Sequence, residues 1–156
     1  MSELVIRRGD KLDVPFLRSL LAFAYGWHVA AFDTFDISIY HYVDAWGRPG
    51  DAALIAAEAG HPVGAAWYRL FTVARPGFGF VDEETPEMTV VVIPARQGQG
   101  IGQDLVDAML ERAEEDGFPA VSISVQRGHA DEPLLRGAGF DQVGERGDTL
   151  TLRRQL

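Results

Sequence analysis

Three glycines alternate with other residues in the stretch PARQGQGIGQDL, which spans 94–105. Gly98, Gly100 and Gly102 leave every second position without a side chain, which indicates that a ligand or another segment lies close to this backbone. The preceding run EMTVVVI is rich in β-branched residues and predicts a strand. The following run repeats apolar residues at helical spacing and predicts an amphipathic helix over 101–116.

A glycine loop between a strand and a helix N-terminus predicts an anion site. Several backbone N–H groups there lack intrahelical acceptors, and the helix dipole is positive at that end. The spacing excludes two phosphate-binding motifs. Gln103 stands where the dinucleotide pattern G-x-G-x-x-G needs its last glycine, and no Gly-Lys-Ser/Thr follows as in a P-loop. A tight turn that binds nothing is the alternative interpretation of the glycines.

Composition limits the class of protein and its partners. With 156 residues, 47% hydrophobic and 24% charged, the chain is expected to form one soluble globular domain. No apolar run reaches the length of a membrane span and no signal-peptide core follows the first Met, so we expect a cytoplasmic protein. The net charge of −9 disfavours nucleic acid and membrane surfaces as partners and mildly favours cationic ligands.

Residue types that build metal sites are scarce or scattered. The absence of cysteine excludes thiolate metal sites and a cysteine-bound acyl intermediate. The 4 histidines have no recognisable metal-ligand spacing. We therefore expect no metal, and a group transfer that is direct or uses another nucleophile.

Strand and helix patterns alternate along the rest of the chain. ELVIRR predicts a strand, DVPFLRSLLAFAYG a helix that stops at Gly26, and YHYVDAW a second short helix. The runs on either side of EAGHP predict a hairpin, AVSISV a buried strand, DEPLLRGAG a short helix, and FDQVGE with DTLTLRR a closing hairpin. The order is β-α-α-β-β-β-α-β-α-β-β.

The segment VIPARQGQGIGQDLVDAMLERAEEDG resembles the coenzyme A signature of the GNAT superfamily of N-acetyltransferases. That pattern, Gln/Arg-x-x-Gly-x-Gly/Ala, is met from Gln97 to Gly102. The resemblance implies an α/β (α+β) fold with a mixed, mostly antiparallel central sheet flanked by helices, and one acyl-CoA-binding domain over 1–156. It also implies that the chain is an acyltransferase that uses acetyl-CoA as cosubstrate.

The same resemblance implies roles for particular residues. The pyrophosphate is expected on the backbone amides of the loop, and the pantetheine arm beside Val90 and Val92. The expected coenzyme-binding set is therefore Val90, Val92, Arg96, Gln97, Gly98, Gln99, Gly100, Ile101 and Gly102. Arg96 and Arg127 are candidates for the 3′-phosphate of the coenzyme.

Glu87 is the first candidate for a catalytic base. An alkylamine is mostly protonated at neutral pH, so its attack on a thioester is helped by a carboxylate or a water that a carboxylate polarises. Glu87 opens the strand before the glycine loop, where such enzymes often place this group. Alternation groups it with Thr89 and Val91, so we expect its orientation to depend on whether the strand has a β-bulge. The neighbouring acidic loop over 82–84 is the alternative carboxylate source, or attracts a cationic substrate.

The last motif of the family is only partly present. His129 stands where the family usually has Asn and Leu135 where it has Tyr, whereas Leu134, Gly139 and Phe140 agree with the pattern. The missing tyrosine acid leaves open a second hypothesis, a non-catalytic module that binds acyl-CoA as a regulator or partner domain. A plain phosphate-ligand binding protein is a weaker third hypothesis.

The acceptor stays open at this stage. Primary amines of small metabolites, polyamines, aminoglycosides, amino acids and peptide N-termini all fit, and charge slightly favours small cationic amines. A dense aromatic group is expected to wall the acceptor site, with His28 and His41 as further pocket candidates. Its members are Phe23, Tyr25, Trp27, Phe32, Phe35, Tyr40, Tyr42 and Trp46. A homodimer is common among similar proteins.

Overall fold

The computed structural model describes residues 3–30 and 38–156, and only the backbone of 27–30. Its strands are β1 Leu4–Arg8, β2 Ala52–Glu58, β3 His61–Arg69, β4 Glu87–Val92, β5 Ala120–Gln126, β6 Asp141–Arg146 and β7 Thr149–Gln155. Its α-helices are α1 Val14–Ala30, α2 Ile101–Glu115 and α3 Asp131–Gly137. Short 3-10 helices cover Lys11–Asp13, Ile39–Tyr42 and Pro94–Arg96.

The strands form one seven-stranded sheet in the order β1-β2-β3-β4-β5-β7-β6. Every neighbouring pair is antiparallel except β4 and β5, which are parallel. The β2–β3 hairpin turns through Ala59 and Gly60, both with positive φ, as a tight two-residue hairpin requires. The mixed, mostly antiparallel sheet predicted through the family resemblance is confirmed.

The two faces of the sheet carry separate apolar cores. On one face α2 packs through Leu105, Val106 and Met109 against alternate residues of the strands. On the other face α1 packs through Leu17 and Leu21, together with aromatic side chains from the loops. Burying both faces stabilises the central strands, whose sequences are accordingly almost continuously apolar.

Two predicted elements differ in the structure. Helix α1 continues past Gly26 to Ala30, since an isolated glycine does not end a helix that tertiary packing holds. The second short helix expected over YHYVDAW is a 3-10 helix, Ile39–Tyr42. The α-helical pattern does not continue there because carbonyls of this segment accept hydrogen bonds from side chains of β3, as described below.

Candidate active site

The site lies where β4 and β5 part from each other, and we call the opening between these two strands the fork. The two strands share one register pair, Glu87 with Ser122, and Ser122 N–H donates to the Pro86 carbonyl at 3.0 Å. Beyond this point the strands diverge and a cleft lies between them. It is lined from α1 by Phe23, Ala24 and Tyr25, from β4 by Thr89, Val90, Val91 and Val92, from β5 by Ile123, Ser124, Val125 and Gln126, and otherwise by Gln97, Gly102, His129, Ala130, Asp131, Leu134 and Leu135.

The backbone of β4 presents hydrogen-bonding groups to this fork. Ile93 N–H donates to the Val63 carbonyl on the β3 side at 2.9 Å. Because backbone groups of successive residues point to opposite edges of a strand, those of Val90 and Val92 point toward β5. There β5 has already diverged, so the fork offers the donors and acceptors that an added strand-like ligand needs.

The glycine loop closes one end of the fork. Gly98 and Gly100 have φ of 78° and 84°, a conformation that side chains rarely adopt, and a Cβ added at either would meet nothing. The first N–H groups of α2 have no intrahelical acceptor, as in any α-helix. Gly100, the N-cap residue, supplies no side-chain hydrogen bond to them either. The glycines here therefore permit a backbone conformation and leave its surface open.

The remaining expected coenzyme residues take distinct positions. Gln97 Nε2 donates to the Val92 carbonyl at 3.2 Å, and a Cβ on Gly102 would lie 3.9 Å from Val92 Cγ2. Gln99 is exposed, whereas the side chain of Ile101 is buried in the core of the α2 face. At Ile101 the backbone N–H is therefore the group available to a ligand.

Both basic candidates form ion pairs. Arg96 Nε lies 2.7 Å from Glu58 Oε1 at the end of β2, and Arg127 pairs with Glu145. Their side chains are 41% and 50% exposed, and surface pairs of this kind are weak. Each guanidinium can therefore leave its present carboxylate for a phosphate at a small cost in free energy.

Glu87 lies at the closed end of the fork, on the α1 face of the sheet. Its residue is 1% exposed, and Tyr42 donates its hydroxyl hydrogen bond to Glu87 Oε2. The β3–β4 register is regular from Arg69–Glu87 to Gly64–Val92, so β4 reaches this orientation without a β-bulge. Glu87, Thr89 and Val91 share the α1 face, while Val90 and Val92 pack on the α2 face.

Burial raises the pKa of Glu87 from its ordinary 4.5 to about 8. The hydrogen bond from Tyr42 and the nearby Gly79 N–H partly oppose this rise by favouring the carboxylate. Burial also raises the pKa of Tyr42 well above its ordinary value, so Tyr42 keeps its proton. A carboxyl group whose pKa lies close to neutral pH is suited to accept a proton.

A loop over 77–80 covers Glu87. Phe78 N–H donates to the Tyr42 hydroxyl at 2.7 Å. A Cβ on Gly77 would lie 2.3 Å from Glu87 Oε1, and one on Gly79 would lie 2.7 Å from the Ser124 amide nitrogen. Only glycine allows the loop to approach both strands this closely.

Two side chains of β3 hold the segment that carries Tyr42. Trp67 Nε1 donates to the Tyr42 carbonyl at 3.1 Å. Arg69 Nη1 donates to the carbonyls of His41 and Asp44 at 3.0 and 2.7 Å, and its other nitrogens bind Asp51 at 2.9 and 2.6 Å. Because Arg69 is 1% exposed, this ion pair with its added carbonyl acceptors is a buried network that fixes Tyr42 over Glu87.

The aromatic and histidine candidates divide between cleft and core. Phe23 and Tyr25 line the cleft, and Tyr25 stacks on Tyr42 with ring centroids 4.2 Å apart. His41 is buried against Phe71 and donates from Nε2 to the Arg75 carbonyl at 2.9 Å. Phe32, Phe35 and the side chains of Trp27 and His28 lie outside the described residues.

Sequence reasoning missed several groups of the site. The Tyr42–Glu87 pair and the Arg69 network join segments far apart in the chain, and no local pattern announces them. Two signals were present: the alternating glycines of PGFGF, and serines at every second position of the strand AVSISV. Alternating serines in a buried strand indicate one polar face.

Neither a metal cluster nor a membrane-spanning helix is found in the described part of the chain. The described side chains, those of 3–26 and 38–156, include no group of three or more His, Asp or Glu arranged to bind a metal ion. In the same part of the chain, no helix has both the length and the apolar character that crossing a membrane requires.

Comparison with known proteins gives consistent results. The sequence profile of the Acetyltransferase (GNAT) family matches residues 15–140. An L-methionine sulfoximine/L-methionine sulfone acetyltransferase of Pseudomonas paraeruginosa is 29% identical, over 90% of this chain and 81% of that protein. Its counterpart in Pseudomonas aeruginosa is 28% identical over the same shares.

Solved structures agree in fold. A ribosomal-protein-alanine N-acetyltransferase from Brucella melitensis has a TM-score of 0.70 and 26% identity, covering 97% of this chain and 99% of that one. The putative acetyltransferase yncA from Salmonella typhimurium, solved with acetyl-CoA, has a TM-score of 0.70 and 25% identity, covering 98% and 94%.

Proposed function

The chain belongs to the Acetyltransferase (GNAT) family and is an acetyl-CoA-dependent N-acetyltransferase, and we propose that Glu87 is the base that activates its acceptor. The proposed reaction moves the acetyl group directly from acetyl-CoA to a primary amine of a small molecule. We further propose that residues 1–156 form one acyl-CoA-binding domain.

The proposed coenzyme site follows the fork. Acetyl-CoA supplies the thioester carbonyl that the amine attacks. The backbone amides from Gln97 to Gly102 hold the pyrophosphate at the N-terminus of α2. The backbone groups of Val90 and Val92 bind the pantetheine arm as an added strand, and an N–H near Val92 donates to the acetyl oxygen, where negative charge develops during attack. Arg96 stays a candidate for the 3′-phosphate.

One observation carries the role of Glu87: it is a buried carboxyl group on the α1 face of the sheet, at the closed end of the fork. Its burial raises its pKa to about 8. It differs from the acidic loop over 82–84, whose side chains are exposed. An exposed carboxylate gains little basicity from its surroundings, whereas burial makes Glu87 a stronger base. Leu135 offers no proton to the leaving thiolate, which water protonates.

Two acceptor classes have specific support. The net charge of −9 favours a small cationic amine. The names of the two Pseudomonas relatives favour an amino-acid analogue, and this is our second candidate. A homodimer stays a prediction.

A thiol-release screen tests the reaction. Acetyl-CoA is presented with L-methionine sulfone, L-methionine sulfoximine, polyamines, free amino acids and a peptide that begins with Ala. We expect stoichiometric thiol release and acetylated product with at least one small amine. Saturable acetyl-CoA binding without thiol release from any amine would instead support the non-catalytic module.

Glu87→Gln tests the base in the same assay. We expect at least about a hundredfold lower turnover at neutral pH, the lower range for a positioned base, with unchanged acetyl-CoA affinity. The loss shrinks as the pH approaches the pKa of the amine, which then needs no base. Glu111→Gln, on the exposed face of α2, is the matched control and keeps wild-type turnover.

A further inference from the structure

Three buried oxygen atoms without hydrogen-bond partners lie at the fork. Among the described residues, four buried side-chain polar atoms have no partner, and three of them are Glu87 Oε1, Ser122 Oγ and Ser124 Oγ. Most buried polar groups in proteins are paired, so each exception calls for an explanation. That three of them belong to two neighbouring strands indicates a shared role.

The three side chains follow one another along one face of the sheet. Ser122 is the register partner of Glu87 on the adjacent parallel strand. The flanking residues Val121, Ile123 and Val125 pack on the α2 face, so alternation places Ser122 and Ser124 on the α1 face with Glu87.

The row formed by Glu87, Ser122 and Ser124 leads from the buried base to the cleft. Ser124 lines the cleft, whereas Glu87 and Ser122 are not among its lining residues. Ser122 is fully buried and Glu87 is 1% exposed. An acceptor amine in the cleft therefore reaches Ser124 before it reaches Glu87.

Other approaches to Glu87 are occupied. Gly77, Gly79 and Tyr42 cover it from the loop side. Within the described residues, the titratable groups that face it are Tyr42, and Tyr25 of α1. The neighbouring Arg69 of β3 directs its guanidinium to Asp51.

A second hydroxyl pair on the same face provides a comparison. Thr89 also lines the cleft, but its Oγ1 lies 2.6 Å from the Tyr25 hydroxyl. These two hydroxyls satisfy each other, whereas those of Ser122 and Ser124 have capacity for a further partner.

We propose that Ser124 and Ser122 relay the acceptor's proton from the cleft to Glu87. Residues two apart on a strand are separated by about 6.6 Å, which is too far for a direct hydrogen bond between the two hydroxyls, so the proposed relay includes one water molecule bound to both. This proposal rests on the proposed function, because it assumes that Glu87 is the base.

Each proton that leaves the acceptor nitrogen has a named destination. The ammonium form of the acceptor gives one proton through the hydroxyls to the Glu87 carboxylate, which becomes a carboxylic acid. The neutral amine then forms the C–N bond and the C–S bond breaks. The second proton of the attacking nitrogen reaches the departing coenzyme A thiolate through water, and Glu87 returns its own proton to solvent by the same path of hydroxyls.

Ser122→Ala and Ser124→Ala test the relay, with the most active amine of the screen as acceptor. We expect each to lower turnover at neutral pH by about tenfold or more, part of what a positioned base supplies, while the KM for acetyl-CoA stays unchanged. The loss shrinks at a pH where the amine is already neutral. Ser124→Thr keeps the hydroxyl and restores turnover.

Two further variants separate the relay from a structural role. Removing a buried hydroxyl that has no partner should leave the thermal midpoint unchanged or raise it. A variant that keeps its stability but loses turnover therefore points to a role in the reaction and not in the fold. Ser19→Ala, at an exposed position of α1 that does not line the cleft, is the matched serine control and keeps wild-type turnover. A large loss in Thr89→Val together with normal turnover in Ser124→Ala would place the relay on β4 and overturn the proposal.

The double variant Glu87→Gln/Ser124→Ala distinguishes the failure of each proposal. If both groups act on one proton path, the double variant loses no more turnover than Glu87→Gln alone. Multiplied losses would show independent roles and overturn the relay. If Glu87→Gln itself keeps wild-type turnover, or no amine releases thiol, the proposed function fails and the relay fails with it.

Discussion

Glu87 combines a buried position with a hydrogen bond from the Tyr42 hydroxyl to its Oε2. Burying the charged carboxylate costs free energy of folding, and the same burial raises its pKa and makes it a stronger base. The same property is measurable in two ways, through the pH dependence of unfolding and through the pH dependence of the reaction.

The stability of the protein depends on pH through Glu87. Its pKa rises from 4.5 to about 8 on folding, so the folded state holds more protons than the unfolded state between these values and stability falls as pH rises through that window. Glu87→Gln does not titrate and escapes this loss. We expect the variant to gain thermal midpoint relative to wild type from pH 5 to pH 9, measured by scanning calorimetry. A difference that is constant across this range would contradict the elevated pKa.

Tyr42 lowers the pKa of Glu87, which burial raises. Its hydrogen bond favours the carboxylate and lowers the pKa, so Tyr42→Phe raises that pKa further. We expect the rising limb of kcat/KM to move to higher pH, measured with an acceptor whose amine titrates far from pH 8. Tyr40→Phe, at an exposed ring beside Arg18, leaves the midpoint in place, and an unmoved midpoint in Tyr42→Phe would refute the coupling.

The sequence predicted the residues of this site unevenly. Glu87 and the loop from Gln97 to Gly102 were proposed because they stand at fixed positions relative to a strand and a helix. The hydrogen bond from Tyr42 was not, because it joins positions 45 residues apart and depends on Trp67 and Arg69 holding its backbone. Local periodicity contains no information on such pairs.

At the scale of elements, the glycines of the loop over 77–80 and of α1 have opposite surroundings, one crowded and one open. The added Cβ at Gly79 meets backbone atoms of Ile123 and Ser124 at 2.7–2.8 Å, whereas at Gly26 it meets nothing within 4 Å. The sequence analysis treated Gly26 as a helix stop, which was wrong, and drew nothing from the glycines of PGFGF. A glycine's role depends on what packs beside it, which local sequence does not reveal.

Gly79→Ala therefore displaces the loop from β5. We expect a loss of about 1–3 kcal/mol in unfolding free energy, the usual cost of overpacking, together with a lower pKa for Glu87 as water reaches it. Gly26→Ala is the opposite case and stabilises by about 0.5–1 kcal/mol. Chemical denaturation of both variants checks the pair, and Gly144→Ala, with its nearest contact at 3.8 Å, serves as the neutral control. Equal stability of Gly79→Ala and Gly144→Ala would contradict the close approach.

At the scale of the whole molecule, a mixed, mostly antiparallel sheet flanked by helices followed from the family resemblance, and the sheet has this character. The point at which β4 and β5 part was not visible in either strand's sequence. Their divergence leaves backbone groups of Val90 and Val92 directed at the cleft, and the coenzyme proposed to bind them would link its own binding to folding.

Acetyl-CoA is expected to raise the thermal midpoint by binding only the folded state. Gly102→Asp should abolish that protection by placing a carboxylate beside the pyrophosphate, while the fold itself tolerates an acidic residue in the first turn of α2. Gly102→Ala, whose Cβ makes ordinary contacts at 3.8 and 3.9 Å, should retain most of the protection. Thermal shift with and without acetyl-CoA checks all three proteins, and full protection of a folded Gly102→Asp would remove the loop from the coenzyme site.

The fork also divides the sheet into two blocks, β1–β4 and β5–β7, that meet along a seam with a single register pair. Such a seam is the first place for a sheet to open, so amide hydrogen exchange should be fastest at Val90, Val92 and Ser124 within the central strands. We expect a coenzyme bound along the seam to contact both blocks and to hold them together. The survival of this protein against proteases in the cell should then follow the supply of its own cosubstrate.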